Sequence, residues 1–180
     1  MMRYTMSADL FVKWKDYNNH IEQLAVEIYR DGYDFNQIVC IAKGGLRVGD
    51  IFQRIFDVPL AIMSVESYSG EEGTNKNQQG DIVFGNSLAK TTPNLGSKVL
   101  LVDDLADSGL TLEKCVDWLK CYHGFFIEDI RTATLWVKAI SKFKPDYTVK
   151  YLEDSPWIHQ PMEEYEKLSI HHIVDKWEMQ

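Results

Sequence analysis

Val99-Leu100-Leu101-Val102-Asp103-Asp104-Leu105-Ala106-Asp107-Ser108-Gly109-Leu110-Thr111-Leu112 is the stretch on which the reading of this chain turns. Four apolar residues run straight into two carboxylates. A short loop with a third carboxylate, a serine and a glycine follows, and then a helical pattern. Continuous apolar runs of this kind mark strands buried on both faces, as in parallel sheets. Open α/β sheets bind ligands beyond the carboxyl ends of such strands, where Asp103 and Asp104 fall. The expected fold is α/β, a doubly wound parallel sheet.

The loop's chemistry points to an anion. Ala106, Ser108 and Gly109 are small enough to let backbone N–H groups approach a ligand. Thr111 is placed to cap the next helix, whose positive end faces back into the loop. Phosphate, held by the amides and the Ser108 and Thr111 hydroxyls, is the natural occupant. Asp103 and Asp104 would repel it unless they accept hydrogen bonds from vicinal sugar hydroxyls or share a Mg²⁺ ion with it. The features together describe a ribose 5-phosphate cradle. The plainer reading, an acidic turn that caps a helix, suits a lone Asp-Asp pair better than this ordered run. Neither G-x-x-x-x-G-K-[ST] nor a strand followed by G-x-G-x-x-G occurs in the chain.

Outward from this stretch the pattern repeats. Trp14, Tyr17, Ile21, Leu24 and Ile28 fall at helical spacing after a strand-like Leu10–Trp14, and the helix ends near Asp31-Gly32. Their aromatic stripe reads as core, and His20 as exposed. Gln37–Ala42 is a second buried strand, followed by Lys43-Gly44-Gly45 and a helix over 46–56 with Leu46, Ile51, Ile55 and Phe56 apolar. A strand, a tight glycine turn and a helix make a second anion site beside a lysine, suited to pyrophosphate. Pro59–Val65 is a third strand, leading into Ser67-Tyr68 and the polar, glycine-containing stretch 69–80, expected to be a flexible loop. Asp81–Gly85 is its return strand, and 87–97 a turn-rich connection. Leu112, Cys115, Val116, Leu119 and Tyr122 mark a helix ending by Gly124. Asp129–Val137 is a strand that places Lys138 at the cleft, and Tyr147–Leu152 is the last strand. Trp157 is a flat plate on which a base could stack. The acidic tail from Tyr165 is expected to be helical in its first half, with His171 and His172 on the surface.

The chain of 180 residues, 45% hydrophobic, is one domain's worth, with a core of about 14–152 and a hood of about 153–180. A net charge of -8 argues against a nucleic-acid partner. No apolar run approaches the ~20 residues of a membrane span, and the first residues lack a signal peptide's apolar core. Three cysteines, an odd number without metal-ligand spacing, fit a reducing, cytoplasmic setting.

Val99–Thr111 resembles the phosphoribosyl-pyrophosphate signature of the type I phosphoribosyltransferases. The resemblance implies that family's fold, with a hood and a flexible loop, and Mg²⁺-dependent transfer of ribose 5-phosphate to a nitrogenous base with release of pyrophosphate. Asp103, Asp104, Ala106, Asp107, Ser108, Gly109, Leu110 and Thr111 would hold the ribose and its phosphate, with Asp107 also the base that takes the acceptor's proton. Lys43, Gly44 and Gly45 would bind pyrophosphate, with a non-proline cis peptide between Ala42 and Lys43, helped by Ser67, Tyr68 and Lys76. Lys138 matches the lysine that donates to O6 of a 6-oxopurine. Trp157-Ile158-His159-Gln160-Pro161-Met162-Glu163 is similar to the Trp-Ile-x-Gln-Pro-Trp-Asp segment of bacterial xanthine-guanine phosphoribosyltransferases, with Met162 for the second Trp and Glu163 for the Asp. Trp157 and Ile158 would then meet the base, and Glu163 would join Asp103 and Asp104 as a metal ligand. Adenine-specific members typically carry Ala at the place of Asp107. The partners implied are phosphoribosyl pyrophosphate, a 6-oxopurine and further copies of the chain in a dimer or tetramer. The competing readings are a non-catalytic regulatory protein that binds phosphoribosyl pyrophosphate, and an enzyme for another base such as adenine.

Overall fold

The computed structural model describes residues 9–67 and 82–179, without the Ser67 side chain. The expectations for Tyr68, Lys76 and the loop 69–80 lie outside the described residues, as does the Ser67 side-chain contact. The elements in chain order are β1 (Leu10–Phe11), α1 (Trp14–Asp31), β2 (Gln37–Ala42), α2 (Leu46–Phe56), β3 (Leu60–Ser67), β4 (Ile82–Phe84), β5 (Ala89–Lys90), β6 (Lys98–Ala106), α3 (Leu110–His123), β7 (Asp129–Lys138), β8 (Tyr147–Leu152), β9 (Ile158–His159), a 3₁₀ turn (Glu163–Glu166) and α4 (Ile170–Glu178).

A seven-stranded sheet runs β4-β3-β2-β6-β7-β8, with β5 also on β3. The strands from β3 to β8 in this order are parallel, and β4 and β5 join the β3 edge antiparallel. The sheet is therefore mostly parallel rather than wholly so. Side chains alternate across it. Ile38, Cys40, Leu100 and Val102 face the cluster built with α1 and α2, while Val39, Ile41, Val99 and Leu101 face the one built with α3. Helices on both faces explain why β2 and β6 read as unbroken apolar runs.

Several elements depart from expectation. The central strand does not stop at Val102: β6 continues through Asp103 to Ala106 because Leu105 and Ala106 pair with Trp136 and Val137 of β7. α2 buries Val48, Gly49 and Phe52, leaving Leu46 and Ile55 exposed. Trp14 is partly exposed at the start of α1, under the Arg47 guanidinium, 4.7 Å from its ring centre. His20 is half-buried against Trp136, edge to face at 5.6 Å, and its Nδ1 is buried without a partner. Burial, then the Lys150 charge, holds its pKa below the ordinary histidine value. In the tail the helix comes late, over Ile170–Glu178. Ser169 starts it by accepting from the His172 N–H while His172 Nδ1 accepts from the Ser169 N–H, a reciprocal cap. Cys40 and Cys115 are buried, Cys121 is exposed, and all three are free. Among the described residues no helix is long and apolar enough to cross a membrane.

Candidate active site

The carboxyl ends of β2, β6 and β7 lie side by side and carry Lys43-Gly44-Gly45, Asp103-Asp104 and Lys138 to one end of the sheet. At β2 the Ala42–Lys43 peptide is cis. Gly44 lies against β6 so closely that a Cβ there would overlap the Asp104 Oδ1, and a Cβ on Gly45 would meet the Val102 carbonyl. Gly44 leaves room for the Asp104 carboxylate and Gly45 for the strand backbone. The Lys43-Gly44-Gly45 turn and the Asp103-Asp104 carboxylates are thus in direct contact.

Asp103 is buried, and its Oδ1 accepts a 2.9 Å hydrogen bond from the Asp104 N–H. Burial first, and then the Asp104 charge, pushes its carboxyl well above the usual carboxylate range. Two adjacent carboxylates, one of them desolvated, are hard oxygen donors that a divalent cation relieves, so Asp103 and Asp104 fit Mg²⁺ shared with substrate oxygens. Glu163 Oε2 is 3.8 Å from His159 Nδ1. Among the described residues no three His, Cys, Asp or Glu side chains gather as a metal site.

Past Ala106 the chain turns through Asp107, Ser108 and Gly109 into α3. Gly109 is the cap residue, at φ 80°, with Ser141 and Phe143 packed where a Cβ would stand. Thr111 does not cap the helix, contrary to the expectation from its spacing. It sits inside the first turn, beside Leu110, and Ser108 Oγ accepts instead from the Leu110 N–H at 3.3 Å. The N-terminal amides of α3 remain aimed at the loop.

Lys138 ends β7 nearly buried, its side chain 7% exposed, and its Nζ is 3.0 Å from Oδ2 of Asp107, which is 53% exposed. The ammonium also lies 5.9 Å from the Trp157 ring centre. Trp157 is open to solvent, whereas the Ile158 side chain is buried in the core. Trp157 is held from the far end of the chain: β1 pairs parallel with β9, the Leu10 N–H donating to the Trp157 carbonyl at 2.8 Å and the Val12 N–H to that of His159 at 2.9 Å. His159 stacks on Phe11 at 4.4 Å and pairs with Asp9 at 2.9 Å.

Sequence reasoning missed Gln160 as a site residue. Its Nε2 donates to Asp104 Oδ2, a contact between positions 104 and 160 that no local pattern announces.

A mostly parallel sheet with two glycine-bearing turns and an Asp-Asp pair near the end of its central strand defines a class, and the comparisons agree. The phosphoribosyl transferase domain profile matches residues 13–167, and the chain belongs to that family. Among curated proteins it is similar to phosphoribosyltransferase domain-containing protein 1 of Homo sapiens, 26% identical over 144 residues that cover 72% of this chain and 60% of that protein. It also resembles a xanthine-guanine phosphoribosyltransferase of Nitratidesulfovibrio vulgaris, 24% identical over 151 residues, 83% of this chain and 82% of that one. The chain thus spans about six tenths of the human relative's length and 59% of its Xenopus laevis counterpart's. Among solved structures, a purine phosphoribosyltransferase from Pyrococcus horikoshii matches with a TM-score of 0.70 and 25% identity, over 86% of this chain and 93% of that one.

Proposed function

We propose that the protein is a purine-salvage phosphoribosyltransferase. It transfers ribose 5-phosphate from phosphoribosyl pyrophosphate to a ring nitrogen of a 6-oxopurine (guanine, xanthine or hypoxanthine). The observation that carries this reading is the Lys138–Asp107 pair beside Trp157. A nearly buried ammonium offers only donors. It complements the carbonyl O6 of an oxopurine and opposes the amino group of adenine. Asp107, exposed at the loop's centre, accepts the proton that the attacking nitrogen loses as the bond from C1 to nitrogen forms and the bond from C1 to the pyrophosphate oxygen breaks.

Asp103 and Asp104 take the ribose hydroxyls and face the positive charge that grows at C1. The loop amides, Ser108, and the α3 N-terminus with Leu110 and Thr111 hold the 5-phosphate. Lys43, Gly44 and Gly45 receive the pyrophosphate. Asp103 and Asp104 would hold Mg²⁺, which would supply charge neutralisation to the leaving group. The same reading includes a hood over 153–180, a homodimer or homotetramer, and a cytoplasmic setting.

The test is pyrophosphate release with Mg²⁺, phosphoribosyl pyrophosphate and hypoxanthine, guanine, xanthine, adenine, orotate or uracil in turn. Turnover is expected with at least one oxopurine and only background with the others. Turnover confined to adenine or a pyrimidine overturns the acceptor assignment. Tight substrate binding without turnover on any base favours a regulatory protein.

A further inference from the structure

The segment that follows Lys138 is fastened onto the loop between β6 and α3. The Ser141 N–H donates to the Lys138 carbonyl at 2.9 Å and turns the chain, and the Lys142 N–H donates to the Ser108 carbonyl at 3.0 Å. Ser141 Oγ, itself donating to the Phe143 carbonyl at 2.6 Å, stands with Phe143 where a Cβ on Gly109 would be. Together with the Lys138–Asp107 pair, residues 138–143 therefore touch Asp107, Ser108 and Gly109 in turn. A turn held at three successive residues of its neighbour keeps a fixed place beside it.

Charge gives that turn a task. Residues 103–113 contain Asp103, Asp104, Asp107 and Glu113 and no lysine, arginine or histidine. Lys138 answers Asp107 alone. A phosphate entering this loop meets amides and hydroxyls but an excess of negative side chains, and backbone amides carry only partial charges against it. Lys142 is exposed and pairs with no carboxylate among the described residues. Its Cα is one bond from the nitrogen that meets Ser108. A lysine carries a compact charge on a flexible four-carbon stem, suited to settle on an anion held by the adjoining loop. We propose that Lys142 is a binding residue for the sugar 5-phosphate, supplying from the β7–β8 turn the cation that the phosphate loop itself lacks. The inference rests on the phosphoribosyltransferase reading above and adds one residue to it. The two anion sites then have separate cations, Lys43 for the pyrophosphate and Lys142 for the 5-phosphate.

The experiment compares the unaltered protein with Lys142→Met, Lys142→Arg and Lys120→Met, the last removing the same charge from the far end of α3. Ribose 5-phosphate and inorganic pyrophosphate are each titrated calorimetrically with Mg²⁺, and kcat and KM for phosphoribosyl pyrophosphate are measured with the accepted oxopurine. Lys142→Met should weaken ribose 5-phosphate and raise the phosphoribosyl pyrophosphate KM about tenfold, the worth of one charge-assisted hydrogen bond. Pyrophosphate affinity and kcat should stay within about twofold. Lys142→Arg should recover most of the loss, and Lys120→Met should leave every value within about twofold. Unchanged ribose 5-phosphate affinity in Lys142→Met overturns the proposal, as does equal weakening of both anions, which would mark a general field or a disturbed fold. In either case the proposed function stands if the parent turns over. A parent that binds neither anion nor phosphoribosyl pyrophosphate overturns the proposed function and this inference with it.

Discussion

At Asp103 the fold and the proposed function pull in opposite directions. Its carboxyl is raised in the folded state, so it favours folding most at low pH, below the unfolded carboxylate range near ~4. That contribution is lost as the pH rises through the raised value, where a desolvated charge comes to face Asp104. Asp103→Asn keeps the Oδ1 that accepts from the Asp104 N–H and removes the charge. In a chelator, thermal unfolding at pH 8 should show a Tm higher by roughly 2–4 °C, about the shift for 1 kcal/mol in a chain of this size, with the gain shrinking towards pH 4. Phosphoribosyl pyrophosphate binding should fall at the same time. Asp107→Asn is expected to lower turnover by about 10²–10⁴-fold while substrate affinity changes little, read from pyrophosphate release and calorimetry on the same preparation. Gly44→Ala would set a methyl group into the Asp104 carboxylate, and affinity for phosphoribosyl pyrophosphate should be lost.

Among the elements, β1 and β9 are short and yet hold the stacking plate. Leu10→Pro removes the N–H that donates to the Trp157 carbonyl. The base KM should rise about fivefold, the worth of roughly one hydrogen bond, with the Tm nearly unchanged. A KM that does not move would detach the plate's position from this pairing. Elements also show what could be read in advance. The β2 and β6 runs and the two glycine-bearing turns were legible because burial on both faces leaves only apolar residues in a strand, and because close backbone approach leaves only glycine. The continuation of β6 through Asp103 and Asp104 was not legible, since carboxylates disfavour strands and only pairing with Trp136 and Val137 keeps them extended. The late start of α4 was missed because its cap uses a histidine where the usual pattern has a glutamate or glutamine. Gln160 was hidden for a different reason: its contact is with Asp104, far away in the chain.

At the scale of the whole molecule, stability rests in two apolar clusters on either face of one sheet. Phe52 is fully buried between α2 and the sheet, and Phe52→Ala should cost about 3–5 kcal/mol by urea unfolding. Phe125, 94% exposed, should tolerate alanine within about 0.5 kcal/mol. The clusters bury many side chains from several elements, whereas the β1–β9 ribbon is held by a few bonds. The His159–Asp9 contact closes a span of 150 residues. Such a closure is entropically dear for the few bonds it brings, so it forms late and opens first. Hydrogen exchange should find the Leu10 and Val12 amides open well before those of β2 and β6. The earliest partly open form would then keep the strand-end cradle for the sugar phosphate and lose its grip on the ring system. Warming would erode the choice of base before the capacity to hold the activated sugar.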